Sequence, residues 1–133
     1  MLKEIVVKTN KSQEIIEITN QVKTIVKASG IKQGICIIYA PHATAGILIN
    51  ENYDSNICQD IIKKLVDIIP LHDGYLHDKI DNNAHSHIKA SLIGPSETVI
   101  IEDGQLMLGT WQGIGLAEFD GPRQRKVLIK IIG

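Results

Sequence analysis

The sequence is poor in aromatic residues and has no long apolar segment. It contains one Phe, one Trp and three Tyr among 133 residues, of which 44% are hydrophobic. Aliphatic side chains, isoleucine above all, must therefore fill the core of what we expect to be a single domain over residues 1–133. No apolar run reaches the roughly 18 residues of a membrane-spanning helix, and the first residues form a strand-like pattern rather than a signal peptide. These features predict a soluble, cytoplasmic protein.

Charge, cysteine usage and motif content exclude further classes of protein. The net charge is −1 and no block of Lys or Arg occurs, so we expect no nucleic-acid partner and no membrane surface as partner. Cys36 and Cys58 lack CxxC spacing and stand in apolar surroundings, which predicts free thiols in a reducing compartment. P-loop, dinucleotide-binding GxGxxG, HExxH and GxSxG motifs are also missing from the sequence. No familiar motif therefore assigns a reaction.

The hydrophobic periodicity predicts a mostly antiparallel α+β domain. We predict strands at 2–9, 14–18, 34–40, 47–49, 97–102, 105–108, 110–119 and 125–132. We also predict three helices: the first runs from its cap to Ser29, and the other two lie at 54–69 and 84–93. Thr19 or Asn20 is the expected N-cap of the first helix. Asp103-Gly104 is typical of a two-residue hairpin turn. Gly113 and Gly115 predict a bulge or a close backbone approach in the strand that contains them, and residues 71–83 form a long polar loop.

Two histidines, His85 and His87, lie at the start of the third predicted helix. Asn83 is a suitable N-cap, and in a helix that begins at Ala84 the two side chains are about 200° apart around the axis. They would then not easily share one metal ion. If Ser86 is the cap instead, the segment is extended and both rings can point the same way. The start of this helix therefore decides whether the segment alone offers a two-histidine metal site.

Two loops carry further polar side chains that suit a binding site. His42 and Thr44 lie between two apolar strands, where a rigid sheet commonly places ligand groups. A plain turn in which His42 is hydrogen-bonded to the backbone is an equally good interpretation. Glu118 alternates with apolar neighbours, which would aim its carboxylate along one face of a strand. Arg123 follows a rigid turn and either pairs with Asp120 or holds a phosphate, and the ion pair is the commoner arrangement.

Taken together, these motifs resemble the YjbQ-like family over the whole chain. The resemblance is carried by Pro41-His42-Ala43-Thr44-Ala45-Gly46, Ile49-Asn50-Glu51-Asn52, Asn83-Ala84-His85-Ser86-His87-Ile88-Lys89-Ala90-Ser91-Leu92-Ile93-Gly94, Gly109-Thr110-Trp111-Gln112 and Glu118-Phe119-Asp120-Gly121-Pro122-Arg123. The chain departs from the usual pattern of the family at Gly115, where a bulky apolar residue is common, and at Ala43, where a hydroxyl residue is common. The resemblance implies a compact α+β fold with a mostly antiparallel β-sandwich core, about three helices, and assembly as a homotrimer.

The family resemblance also implies a site and an activity. The family is labelled a secondary thiamine-phosphate synthase, which joins a pyrimidine methyl diphosphate to a thiazole phosphate. There are two alternatives. One is a metal-dependent hydrolase or lyase that acts on a small phosphorylated or acyl substrate, and the other is a non-enzymatic trimeric binder of an anion or metabolite. A divalent metal, zinc or magnesium, is an expected cofactor, and the substrate is expected to be small and phosphorylated. The expected catalytic residues are His42, His85 and Glu118, the substrate-binding residues Thr44, Lys89, Gln112 and Arg123, and the metal ligands His42, His85 and His87, with His85 closer to the ligand than His87.

Overall fold

A computed structural model describes residues 1–51 and 54–133 of the chain. Asn52, the last residue of one segment that carries the family resemblance, lies outside the described residues. In chain order the elements are β1 (Leu2–Lys8), β2 (Glu14–Glu17), α1 (Thr19–Ser29), β3 (Gly34–Tyr39), β4 (Ala45–Glu51), α2 (Ser55–Ile68), a 3-10 helix (Leu76–Lys79), α3 (Ala84–Ile93), β5 (Ser96–Glu102), β6 (Gln105–Leu106), β7 (Gln112–Glu118) and β8 (Gln124–Ile132).

The strands form two antiparallel sheets that face each other across the main core. The larger has the order β1-β8-β3-β5-β6 and the smaller the order β2-β7-β4. Alternate side chains of both sheets, together with Val22 and Val26 of α1, fill the space between them. The other face of the smaller sheet packs on α2 and α3 through a second cluster that includes Leu65, Ala90 and Phe119. This arrangement confirms the predicted α+β fold with a β-sandwich core.

The middle strand of the smaller sheet, β7, is buried on both faces. Because side chains alternate along a strand, Ile114 and Leu116 enter the main core and Ala117 enters the second one. The pairing of β7 with β4 runs without interruption from Gln112 to Glu118, so the strand has no bulge there. A Cβ added to Gly115 would lie 2.8 Å from the Cγ2 of Ile15, so the close approach at this glycine is made by a side chain and not by another backbone segment.

The N-terminus of α3 is capped by a residue that the sequence pattern did not indicate. The helix begins at Ala84 with Asn83 in the N-cap position, but the Asn83 side chain makes no capping hydrogen bond. Instead, the Ala84 amide donates to Oδ1 of Asp78 at 3.1 Å. A helix that starts at Ala84 places His85 and His87 on different sides, so the extended geometry with Ser86 as cap is not the one adopted.

Other element boundaries differ modestly from the prediction. Neither Thr19 nor Asn20 caps α1, since Ile18 is the N-cap residue and makes no side-chain bond, while Oγ1 of Thr19 accepts the amide of Ile114 at 2.9 Å. The predicted strand 105–108 is only Gln105–Leu106. Over residues 1–51 and 54–133, no helix is long and apolar enough to cross a membrane.

The outer face of the larger sheet carries a row of exposed apolar side chains. Ile35 on β3 pairs with Ile100 on β5 and with Ile132 on β8, and all three side chains are exposed. Val6 and Tyr39 add further exposed apolar surface on the same sheet. Contiguous apolar surface of this kind is typical of an interaction face.

Candidate functional site

Glu118 lies at the end of β7 between the two sheets and forms an ion pair with Arg125 of β8. It follows Ile114 and Leu116 in the alternation of β7, and Arg125 precedes Val127 and Ile129 in that of β8, so both side chains point inward. Nε of Arg125 donates to Oε1 of Glu118 at 2.8 Å, and Nη2 donates to Oε2. The pair therefore joins the smaller sheet to the larger one.

The remaining acceptor positions of Glu118 are also occupied. Oε1 accepts the Thr9 hydroxyl at 2.8 Å and Oε2 accepts the Asp120 amide at 3.1 Å. A carboxylate offers about four acceptor positions, and the side chain is 0% exposed. Burial alone would raise the pKa of Glu118, but the hydrogen bonds from Arg125, the Asp120 amide and Thr9 outweigh it and lower that pKa. We call Thr9, Thr44, Glu118 and Arg125 the intersheet cluster.

The intersheet cluster gives two predicted site residues a structural role. Arg125 donates through Nη2 to the Thr44 hydroxyl at 2.8 Å and to the Thr44 carbonyl at 3.3 Å. Thr44 is thus committed to orienting Arg125, as Glu118 is committed to pairing with it. Catalysis by Glu118 and substrate binding by Thr44 stay predictions, and the saturated bonding of both side chains argues for stabilising the fold instead.

A second polar cluster is built on α3 around Lys89. The ammonium of Lys89 donates to Oε1 of Gln13 at 2.9 Å and lies 2.9 Å from Nδ1 of His85. Lys89 is 0% exposed and His85 only 8% exposed. The two side chains meet because residues four apart lie on one face of a helix. We call Gln13, His85, Ser86 and Lys89 the α3 cluster.

The contacts of His85 define its tautomer. A protonated Lys89 is a donor only, so Nδ1 of His85 accepts and the imidazole carries its proton on Nε2. That nitrogen lies 3.3 Å from the Ser86 hydroxyl, which in turn donates to the Phe119 carbonyl at 2.6 Å. A directed chain of donors therefore runs from Lys89 through His85 and Ser86 to the backbone beside Glu118.

Burial shifts the pKa values of both titratable groups in the α3 cluster. It lowers the pKa of Lys89 from 10.5 to about 8. Burial, and then the positive charge of Lys89, lower the pKa of His85, although the carboxylates of Asp120 and Asp78 oppose this change. The neutral imidazole and the protonated amine are thus the forms expected at pH 7.

The structure places His42 and His87 in separate surroundings. Nε2 of His42 lies 3.0 Å from the Lys126 amide and 3.1 Å from the Lys126 carbonyl, which is the backbone-bonded alternative. Burial, and then the charge of Arg125, lower the pKa of His42. The His87 ring packs edge-on against His77, with ring centroids 4.8 Å apart. No three His, Cys, Asp or Glu side chains in the described part of one chain lie close enough together to hold a metal ion.

Arg123 forms the predicted ion pair with Asp120. Its Nη2 donates to Oδ2 of Asp120 at 2.8 Å and its Nε donates to the Asp120 carbonyl at 2.7 Å. Oδ2 of Asp120 also accepts from the Asn83 amide group at 3.0 Å. This contact ties the turn after β7 to the start of α3. The exposed guanidinium is linked to the start of α3 through Asp120 and Asn83, and its role as a substrate ligand stays a prediction.

Gln112 lies far from both clusters within one chain, contrary to the predicted grouping. It pairs with Glu51 at the opposite end of β7 from Glu118, and six residues of strand span about 20 Å. Its Oε1 accepts the Gly109 amide at 2.8 Å. Another subunit would have to bring Gln112 to the site for it to bind the same substrate.

Sequence reasoning missed Arg125, Thr9, Gln13 and the cap Asp78. A signal for Arg125 was present, because a charged residue at the inward position of a strand that continues with Val127 and Ile129 requires a buried partner. Gln13 gave no local signal. Its contact with Lys89 joins residues 76 positions apart, and only the tertiary fold creates it.

The two facing sheets, the helices on the smaller sheet and the polar segment from Glu118 to Arg125 define a small α+β sandwich protein. Residues 3–133 match the family model described as UPF0047 protein YjbQ-like. The chain therefore belongs to the UPF0047, YjbQ-like family, as its motifs indicated.

Relatives and solved structures from several organisms resemble the chain along its whole length. It is 49% identical to a UPF0047 protein of Methanocaldococcus jannaschii, covering 100% of this chain and 95% of the relative, and 44% identical to the UPF0047 protein YugU of Bacillus subtilis, covering 100% of both. A YbjQ-like protein of unknown function from Sulfolobus solfataricus has a similar structure, with a TM-score of 0.97 and 39% identity over 100% of this chain and 96% of that one.

Proposed function

We propose that this protein is a small-molecule enzyme that uses the α3 cluster on a phosphorylated substrate, with thiamine-phosphate formation as its reaction. The observation that carries the proposal is the buried ammonium of Lys89. No carboxylate of residues 1–51 or 54–133 forms an ion pair with it. An unpaired buried charge is costly, and groups with strongly perturbed pKa values concentrate at functional sites. An anionic substrate would supply the missing countercharge.

The chemistry of thiamine-phosphate formation suits such a cation. The bond between the pyrimidine methylene carbon and the diphosphate oxygen breaks, pyrophosphate leaves with the electron pair, and the thiazole nitrogen donates its lone pair to that carbon. Negative charge grows on the leaving group, and a preorganised positive charge or hydrogen-bond donor stabilises it. Lys89 supplies the charge, and the Nε2 proton of His85 is a donor that a phosphate oxygen would accept in place of the Ser86 hydroxyl. Arg123 is a second cation, exposed and linked to the start of α3 through Asp120 and Asn83.

Binding of a divalent metal is also a proposal, and within residues 1–51 and 54–133 one chain does not provide a complete set of ligands for it. Imidazole nitrogens are good zinc ligands, but the described residues of a single chain provide no set of three ligands. His42, His85 and His87 would need to be joined by ligands of a neighbouring subunit. A metal-dependent hydrolase therefore ranks below the transferase, whose charge stabilisation comes from Lys89, His85 and Arg123.

Assembly as a homotrimer is also a proposal, and the larger sheet supports it. The exposed row of Ile35, Ile100 and Ile132 gives an apolar face that a second copy of the chain would cover. His42 contacts Lys126 of β8, a strand of the same sheet. A subunit interface on this sheet would therefore lie beside His42.

The test is to incubate the purified protein with the pyrimidine methyl diphosphate, the thiazole phosphate and Mg²⁺, and to measure thiamine phosphate by its fluorescence after oxidation to the thiochrome. We expect product in proportion to protein concentration. Lys89→Met should lower kcat by about 100-fold or more, because removing one preorganised electrostatic contact typically costs that much. Lys64→Met on the exposed side of α2 is the matched control and should keep full activity.

A second variant keeps the test interpretable if Lys89→Met folds poorly. His85→Asn removes the Nε2 donor but leaves the buried amine, and circular dichroism establishes whether each variant is folded. Equal product formation by wild type and by both folded variants would contradict the assignment of the α3 cluster. Saturable pyrophosphate binding without any turnover would instead favour the anion binder.

A further inference from the structure

The chain also contains a groove that is lined by no residue of α2 or α3. It lies between the C-terminal half of α1 and the turn that joins β5 to β6, and encloses about 540 Å³. Cavities that hold small ligands range from about 300 to 1,000 Å³. The floor is apolar and consists of Val26, Ile31 and Leu106, which belong to or pack on the main core.

The walls of this α1 groove carry an excess of positive charge. Lys23, Lys27 and Lys32 line it together with a single carboxylate, that of Asp103. None of the three ammonium groups forms an ion pair with a carboxylate in the part of the chain that the structure describes. Lys23 and Lys27 are one helical turn apart, a spacing at which like charges repel. The dipole at the helix C-terminus favours Lys27 in the last turn, but it does not account for Lys23 or Lys32.

The rim of the groove is held in place by backbone contacts. The Gly104 amide donates to the Lys32 carbonyl at 3.0 Å, which ties the hairpin turn to the segment after α1. Gly104 has a φ of 74°, and a Cβ at this position would lie 3.4 Å from the Lys32 ammonium. The turn thus leaves room for the Lys32 side chain at the mouth of the groove.

We propose that the α1 groove is a binding site for a small organic anion with an apolar body. The apolar floor would take the body, and Lys23, Lys27 and Lys32 would bind the acidic group. This site shares no residue with the α3 cluster, so it does not depend on the proposed enzymatic function. Its ligand is defined by chemistry alone: one acidic group attached to a hydrocarbon framework that fits within the cavity.

The test compares two fluorescent probes of nearly the same shape. Anilinonaphthalenesulfonate is apolar and anionic, whereas N-phenyl-1-naphthylamine lacks the sulfonate. We expect the anionic probe to saturate at one site per chain. The double variant Lys23→Met, Lys27→Met should weaken its binding about tenfold, because two nearby charges are lost, and should change binding of the neutral probe less than about twofold.

The double variant Lys3→Met, Lys64→Met removes the same number of charges outside the groove and is the matched control. Asp103→Asn removes the opposing carboxylate and should strengthen binding of the anionic probe. Amide NMR shifts on adding that probe should cluster at Val26, Ile31 and Leu106. Equal affinity of the anionic probe for both double variants, or shifts centred elsewhere, would overturn the proposal. All these changes lie on the surface, and activity in the thiamine-phosphate assay should stay as in the wild type.

Discussion

Arg125 and Glu118 form the only fully buried ion pair among residues 1–51 and 54–133. The pair joins β8 of the larger sheet to β7 of the smaller one, and Thr9 and Thr44 complete its hydrogen bonding. Removing one member of such a pair leaves an uncompensated buried charge, which costs more than the pair contributes when intact. The intersheet cluster is therefore a point at which the packing of the two sheets is sensitive to single substitutions.

Glu118→Gln should destabilise the protein by about 3–5 kcal/mol, because Arg125 would keep its charge in the core without a carboxylate. The free energy of unfolding from urea denaturation measures this loss. Glu102→Gln is the control, since Glu102 accepts one exposed bond from Gln33 at 2.8 Å, and it should change stability by less than about 0.5 kcal/mol. A variant at Glu118 with wild-type stability but no turnover would show that the carboxylate acts in catalysis after all.

Lys89 should make the protein more stable as the pH rises above neutrality. Its pKa is about 8 in the folded protein, against 10.5 for an ordinary lysine. Between these values the folded state releases the proton while the unfolded state retains it, so the unfolded state binds more protons and the free energy of unfolding increases with pH. Urea denaturation between pH 7.5 and about 10 would measure the increase. In Lys89→Met this part of the pH dependence should vanish, and a wild-type profile in that variant would contradict the assigned pKa.

His85 should titrate at a higher pH once Lys89 is removed. Burial, and then the charge of Lys89, lower the pKa of His85, so Lys89→Met removes the second cause and leaves the first. Histidine-selective ¹H–¹⁵N NMR would follow the titration and would show whether Nε2 carries the proton in the wild type. His42 is the internal control, because its pKa is lowered by burial and then by Arg125 and should not respond. A His85 titration that is unchanged in the variant would disprove the contact with Lys89.

The sequence predicted most of the fold because strands and helices are set by local periodicity. The inward alternation of Glu118 was also visible, since it continues the spacing of Ile114 and Leu116. What local patterns did not reveal were the partners of α3. Asp78 caps α3 from six residues away, in the 3-10 helix before it, and Gln13 meets Lys89 across 76 positions through tertiary packing. The motifs of the family likewise identified a set of polar residues, but did not indicate that the fold divides them between the two clusters and separate positions, as it does for His42, His87 and Gln112.

The exposed face of the larger sheet should be the subunit interface. Ile100 lies in the row that Ile35 and Ile132 continue on the neighbouring strands, and a charge there would have to be buried on assembly at a cost of several kcal/mol per subunit. Ile100→Glu should therefore convert the expected trimer into monomers, as measured by sedimentation velocity. Ile68→Glu on α2 is the matched control, because Ile68 and Ile100 are each 60% exposed. This variant should remain trimeric. If Ile68→Glu dissociates the protein and Ile100→Glu does not, the interface involves α2 instead, and His42 lies away from it.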